Sequence, residues 1–277
     1  MQIAQLQDKI IPFDEIEQVY LDRGLYFGDG VYEVLRSYNG KLFAFEEHME
    51  RFAHSLAAVE ITNVEMEKIR SSVLKAFETA EIANAKIYFH ITRGSAPRDH
   101  ICPADLAPNF FLTVTQLADD TQLKAKGMAV STYPDLRWKR CDIKSLNLLP
   151  NVLARQEAAR KGSHEAILVN DEGFITEGAA SAFFAVKEKK LQTSPLAENI
   201  LPSITRKFVL KAGDNLGMEI IEKSLTPQQA SCCDELFIAV TTKDIVPVIR
   251  FDDKIIKDGK PGEYTKALTD EFRKFTT

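Results

Sequence analysis

Lys144 lies in the segment Arg140-Cys141-Asp142-Ile143-Lys144-Ser145-Leu146-Asn147-Leu148-Leu149, between the apolar Ile143 and Leu146, where a strand-like pattern gives way to a helical one. A lysine in a partly apolar setting loses some of its preference for the ammonium form. The free amine can then attack a carbonyl carbon and form a Schiff base. Four further groups could serve such an amine. Glu177, ahead of Gly178 at the end of a strand-like run, could keep a proton on the ring nitrogen of an electron-accepting cofactor. Ser203-Ile204-Thr205 opens a helix, whose free N–H groups and positive dipole end suit a phosphate. Thr241-Thr242 ends an apolar strand and could add hydroxyls to the same seat. Arg98-Asp99-His100, in a loop, offers a guanidinium fork and an imidazole donor to a carboxylate, with Asp99 turned elsewhere. Taken singly, each also has an ordinary reading: a connector lysine, a turn glutamate, a capped helix, a β-branched strand end, a polar loop.

The elements that must position these groups follow from local patterns. Residues 1–20 read as short strands, and Asp22 to Gly30, with three glycines and two aspartates, as a tight loop. Val31 to Tyr38 alternates as a strand, and Asn39-Gly40 signals a hairpin returning through Lys41 to Ala44. Met49, Phe52 and Leu56 mark the buried stripe of a helix over Glu46 to Val59, with Arg51 beside that stripe. A second helix is expected over about Val64 to Ala80, and strands over Lys86 to Thr92 and Asn109 to Leu117. Met128 to Tyr133 reads as a strand, Asn151 to Lys161 as a helix opened by Pro150, and His164 to Val169 and Ser181 to Val186 as strands. Ser203 is the expected N-cap of a helix running to about Leu216, Glu235 to Val240 a strand, and Tyr264 to Lys274 the last helix. Helices and strands alternate irregularly, which predicts an α+β (mixed α/β) fold rather than a doubly wound sheet. The polar stretch after Leu117 divides it into a small α/β domain over 1–118, a linker over 119–122 and a larger domain over 123–277.

Bulk properties narrow the function. The chain has 277 residues, a formal net charge of −5, 45% hydrophobic and 27% charged residues, ordinary values for a globular protein. Nothing in that balance favours nucleic acid or an anionic membrane. Cys102, Cys141, Cys232 and Cys233 form no C-x-x-C pair, so neither a disulfide framework nor a metal site is expected. The amino terminus lacks a basic region followed by an apolar run, and no apolar run could span a bilayer. A reducing cytoplasm is the expected location.

Read together and in order, six segments carry a specific pattern: DRGLYFGDGVYEV (Asp22 to Val34), TRGSAPRDH (Thr92 to His100), RWKRCDIKSLNLLPNVLARQEA (Arg137 to Ala158), TEG (Thr176 to Gly178), ITR (Ile204 to Arg206) and DELFIAVTT (Asp234 to Thr242). The sequence resembles the fold-type IV pyridoxal-phosphate transaminases, and among them the D-amino-acid transaminases, over nearly its whole length. The resemblance implies that Lys144 is the Schiff-base lysine that later moves the proton, and that Glu177 is the acid on the pyridine nitrogen. It implies a phosphate cup of Arg51, Ile204, Thr205 and Thr241, with Leu201 against the cofactor ring. It implies a substrate-carboxylate trap of Tyr32, Arg98 and His100, the last two reaching across from the partner subunit of a homodimer. The implied reaction moves the amino group of a D-amino acid such as D-alanine to 2-oxoglutarate, giving a 2-oxo acid and D-glutamate.

Several positions depart from the family pattern. Ala179-Ala180-Ser181-Ala182 stands where Ser-Ser-Ser-Asn is frequent, Ser203 where glycine is common before Ile-Thr-Arg, and Val240 where serine is frequent. Arg36 is similar to the branched-chain L-amino-acid transaminases, and aminodeoxychorismate lyases share the lysine and the cofactor. Arg98 and His100 favour the D-specific group.

Overall fold

The computed structural model describes residues 2–196 and 199–276. A short hairpin of β1 (Ile3–Leu6) and β2 (Lys9–Pro12) precedes α1 (Arg23–Phe27). The segment expected as a loop is therefore partly helical. Asp22 caps it by accepting from the Gly24 N–H at 2.6 Å, and Gly28 ends it in the left-handed region at φ 66°, which glycine adopts without steric cost.

Next come β3 (Gly30–Tyr38), β4 (Lys41–Leu42), α2 (Phe45–Ala58), α3 (Met66–Ala80), β5 (Ala85–Thr92) and β6 (Asn109–Gln116). These strands form an antiparallel sheet in the order β4-β3-β5-β6. Alternation along β3 turns Val31, Glu33 and Leu35 towards the helices, where Val31 and Leu35 join Met49, Phe52 and Leu56 in one core. Removing each large apolar side chain of that core from water is worth about 1.5–3 kcal/mol. Tyr32 and Val34, on the opposite face of β3, look into a cavity.

The remaining elements are α4 (Thr121–Lys126), β7 (Met128–Pro134), α5 (Leu149–Arg160), β8 (Glu165–Val169), β9 (Ile175–Gly178), β10 (Ala182–Lys187), β11 (Lys190–Thr193), α6 (Ile204–Asn215), β12 (Glu219–Glu222), α7 (Pro227–Ala230), β13 (Glu235–Val240), β14 (Asp244–Phe251), β15 (Lys254–Ile255) and α8 (Glu263–Arg273). They build a mixed sheet in the order β12-β11-β10-β13-β14-β7-β8-β9, with β15 on β14. Half of the expected linker is thus the first turn of α4, whose Thr121 N–H is held by Asp119 Oδ1 at 2.9 Å.

β14 has no counterpart among the expected strands, and Pro247 within it is unusual for an interior strand. The structure accommodates it: Pro247 pairs with Phe237 of β13, and β7 begins to pair only at Val248. No strand on that side needs the missing N–H.

Polar side chains tie the two sheets together. Arg36 of β3 donates to Asp244 Oδ1 at 2.5 Å, Tyr38 donates to the same oxygen at 2.5 Å, and Lys124 of α4 reaches Asp244 Oδ2 at 2.8 Å. Arg36 is thereby engaged in joining the sheets.

Candidate active site

Lys144 is held far from its chain neighbours by borrowed strand pairing. The first residues of β3 have a free edge, because β4 pairs only with Ser37 and Tyr38. The lysine segment fills that edge: the Tyr32 N–H donates to the Lys144 carbonyl at 3.0 Å, and the Leu146 N–H to the Gly30 carbonyl at 2.9 Å. The Lys144 N–H donates to Ser55 Oγ of α2 at 3.1 Å. The strand expected ahead of Lys144 is β7, which ends at Pro134, and an irregular loop carries the lysine from there. The Nζ sits 4.2 Å from the centre of the Tyr32 ring and enters no ion pair among the described residues.

This amine faces a cavity of about 690 Å³ between the two sheets. Tyr32, Arg51, Lys144, Glu177, Leu201 and Thr241 all line it, as do Ser203 and Thr242. Burial pushes the Cys141 thiol in the same wall up to about 12, so the sulfur stays protonated.

At one end lies Glu177, 5% exposed at the end of β9. Its Oε1 accepts from Arg137 Nη1 at 2.5 Å and from the Leu201 N–H at 3.1 Å. Burial raises its pKa, and the charge and hydrogen bond of Arg137 work against that rise. Arg137 is itself gripped by Asp135, Nε to Oδ1 at 2.9 Å and Nη2 to Oδ2 at 2.8 Å. A Cβ on Gly178 would overlap Ser181 Oγ, so a side chain there would force the Ser181 hydroxyl to move.

At the other end the cavity meets the start of α6. Ser203 accepts from the Arg206 N–H at 3.2 Å, as an N-cap should. The N–H groups of Ile204 and Thr205 have no partner among the described residues, although both side chains are buried. Arg51 links this end to the small sheet. Its Nε and Nη2 grip Glu33 at 2.7 and 2.8 Å, and Nη1 donates to the Pro202 carbonyl at 2.9 Å. His48 Nδ1 lies 2.8 Å from the same carboxylate. Burial opposes ionisation of Glu33, but the Arg51 charge and the His48 bond outweigh it and hold its pKa well below the usual range. Burial lowers the pKa of His48 despite Glu33.

Sequence reasoning missed Arg137, Glu33 and His48. The signals were present: Glu33 is a carboxylate on the helix-facing side of an alternating strand, and His48 and Arg51 share a helix face three residues apart. Arg137 stood inside the quoted lysine segment without an assigned task.

Removing one partner of a buried ion pair strands the other. Glu33→Gln should therefore cost about 3 kcal/mol in denaturant unfolding at neutral pH. Glu33 has a lowered folded pKa, so its contribution is full above its ordinary value of 4.5 and fades as pH falls further. His48, also lowered, adds a loss that begins near 6.5, while the raised Glu165 and Glu177 act in the opposite sense. The gap between the native and Glu33→Gln unfolding curves should narrow below pH 4.5. A constant gap would contradict this role for the carboxylate.

Arg98 and His100 do not reach the cavity of their own chain. Both are exposed, flanking Phe27: the Arg98 Cζ lies 5.2 Å, and the His100 ring centre 5.3 Å, from the centre of its ring. Asp99 turns back to accept from the Ile101 N–H at 3.0 Å. The departures after Glu177 also have visible consequences. Ala179, Ala180 and Ala182 give part of the cavity an apolar wall, and the Ser181 hydroxyl donates to buried Glu165 at 3.3 Å.

The family model for amino-transferase class IV matches residues 30–251. The chain belongs to the class IV aminotransferases. It is 38% identical over 248 residues to a D-alanine aminotransferase of Bacillus licheniformis, covering 89% of this chain and 87% of that one. It is 35% identical to a D-alanine aminotransferase of Staphylococcus haemolyticus, over 98% of this chain and 96% of the relative. In fold it is similar to the branched-chain amino acid aminotransferase of Escherichia coli, with a TM-score of 0.88 at 23% identity over 98% and 93% of the two chains. As a class IV aminotransferase it is a fold-type IV transaminase dependent on pyridoxal 5'-phosphate. The cavity fits that cofactor chemically: a free amine for the aldehyde, a buried carboxylate for a ring nitrogen, and two uncommitted N–H groups with Arg51 for a phosphate. No helix among the described residues is long and apolar enough to cross a membrane.

Proposed function

We propose that this chain transfers the amino group of D-amino acids such as D-alanine to 2-oxoglutarate, giving a 2-oxo acid and D-glutamate. The observation that carries the reading is the gathering of Lys144, Glu177, Arg51 and Thr241 around one cavity, beside the open start of α6. The relatives named D-alanine aminotransferases support the D preference. The sequence feature that suggested the branched-chain group, Arg36, has another task in joining β3 to Asp244.

Pyridoxal phosphate, when bound, supplies an aldehyde carbon for the amine and a conjugated ring that accepts the electron pair released at Cα. Lys144 would offer its Nζ as the nucleophile towards that carbon and would carry the Cα proton of the substrate. Glu177 holds the ring-nitrogen proton, and Arg137 and the Leu201 N–H aim its carboxylate. Ile204 and Thr205 bind the phosphate through their N–H groups, Thr241 through its hydroxyl and Arg51 through its guanidinium. The Leu201 side chain, which lines the cavity, would pack on the ring. One site serves both half-reactions, so the kinetics are ping-pong. The residues that would hold the cofactor come from a small domain over 1–118 and a large one over 123–277, in a protein of the cytoplasm.

Tyr32 holds the substrate carboxylate together with Arg98 and His100 of the partner subunit in a homodimer. Three features support supply in trans. Arg98 and His100 are exposed and outside their own cavity. Trp138 and Val152 line that cavity yet are 42% and 46% exposed. Leu149 and Leu153, one turn apart on α5, are 66% and 44% exposed.

Mixing Lys144→Ala chains with Arg98→Ala chains tests the arrangement. A mixed dimer with the loop in trans has one site free of both lesions, so activity returns. Subunit exchange without recovery would refute the shared site. Bleaching of the bound cofactor's absorbance by D-alanine, faster than by L-alanine, is the expected half-reaction, and the reverse order would refute the D preference.

A further inference from the structure

The Arg98-Asp99-His100 loop, in the stretch between β5 and β6, belongs to no helix or strand. A flexible loop would hold a carboxylate poorly, because ordering it on binding costs entropy. Arg23 supplies the order. It is the first residue of α1 and only 4% exposed, unusual for an arginine. Its Nη1 donates to the Asp99 carbonyl at 2.6 Å and its Nη2 to the His100 carbonyl at 3.1 Å. Its Nε donates to Asp29 Oδ2 at 2.8 Å, and Arg93, where the loop leaves β5, donates to the same oxygen at 2.9 Å. The Arg23 guanidinium also lies 4.9 Å from the centre of the Phe27 ring, the ring that Arg98 and His100 flank. One planar cation therefore fixes the backbone on which the two exposed side chains stand.

We propose that Arg23 is a positioning residue for the α-carboxylate of the amino acid or 2-oxo acid, acting through the Arg98–His100 loop it braces. The proposal rests on the reading that this loop completes the partner's site. Only a fork can reach two successive carbonyls and Asp29 at once. A lysine can keep the pairing with Asp29 but must release the carbonyls.

The test compares Arg23→Lys and Arg23→Gln with the native enzyme and with Arg98→Ala. Both Arg23 variants should raise KM for D-alanine between about tenfold and a hundredfold, the scale expected of a misplaced substrate-positioning group, with kcat changed less. Cofactor dissociation, followed by absorbance, should stay within about twofold. Amide hydrogen exchange over 99–101 should quicken. If the glutamine variant fails to fold, the lysine variant carries the reading, since it keeps the charge beside Asp29.

Mixed dimers separate the loop from other routes. An Arg23→Gln or Arg23→Lys chain paired with a Lys144→Ala chain should regain a site of native KM, because the defective loop then serves the site without lysine. A KM that stays raised in that mixture would place the effect in the chain's own cavity and overturn the proposal. Native KM in both Arg23 variants alongside a raised KM in Arg98→Ala would also overturn it, while leaving the clamp standing. Native KM in Arg98→Ala itself would remove the clamp, and this proposal with it.

Discussion

Lys144→Ala should abolish multiple turnover while leaving the fold intact. The expected loss is on the order of 10³-fold or more, since proton transfer by a positioned group alone contributes about 10²–10⁴. The side chain is half-buried, and the contacts that place its segment are made by main chain: the Lys144 carbonyl to the Tyr32 N–H, its N–H to Ser55 Oγ, and the Leu146 N–H to Gly30. Alanine keeps all of them. The cavity offers no second lysine, and its cysteine is held protonated by burial. Steady-state kcat and a thermal melt together check the prediction. Near-native turnover would remove Lys144 from the mechanism, and a collapsed melting transition would make the loss uninformative about chemistry.

Glu177→Gln should slow the loss of the Cα proton at least about tenfold, which is about 1.4 kcal/mol of barrier. Glutamine preserves shape but cannot carry the negative charge that, on the proposed reading, would keep a ring nitrogen protonated. The surrounding geometry argues that the charge is needed: burial raises the pKa of Glu177, and Arg137, locked in place by Asp135, opposes that rise from 2.5 Å away. Glutamine would leave the Arg137 cation facing a neutral amide in a buried site, so a loss of stability should accompany the loss of rate. The decisive measurement is the single-turnover rate with D-alanine deuterated at Cα. An unchanged rate and isotope effect would show that the carboxylate does not support the electron sink.

Elements around the cavity, the family and the fold class were legible in the sequence, because they depend on residue type and local pattern. The Ser203 cap announced the start of α6, since capping is settled within one turn. The Asn39-Gly40 turn announced the β3–β4 hairpin, since only residues tolerant of positive φ fit it. The ordered segments from Asp22 to Thr242 identified a class IV aminotransferase, which the family model and the relatives bear out. The α+β fold followed from the irregular alternation of helices and strands.

Other features were decided by contacts distant in sequence, which no local pattern encodes. Lys144 reaches its place because the edge of β3 is unpaired at Gly30 to Tyr32, and only the course of β4 makes it so. β14 could hold Pro247 only because β7 starts to pair one residue later. Glu33 lies on the strand's helix-facing side in any reading, but that its buried charge meets Arg51 and His48 depends on how α2 packs across β3. Arg137 has Asp135 only two residues away, but it met Glu177 only when β9 was laid beside β8. Residue chemistry fixed which groups could react. The packing of the two sheets decided which groups meet, because a buried charge needs its partners and those partners come from other parts of the chain.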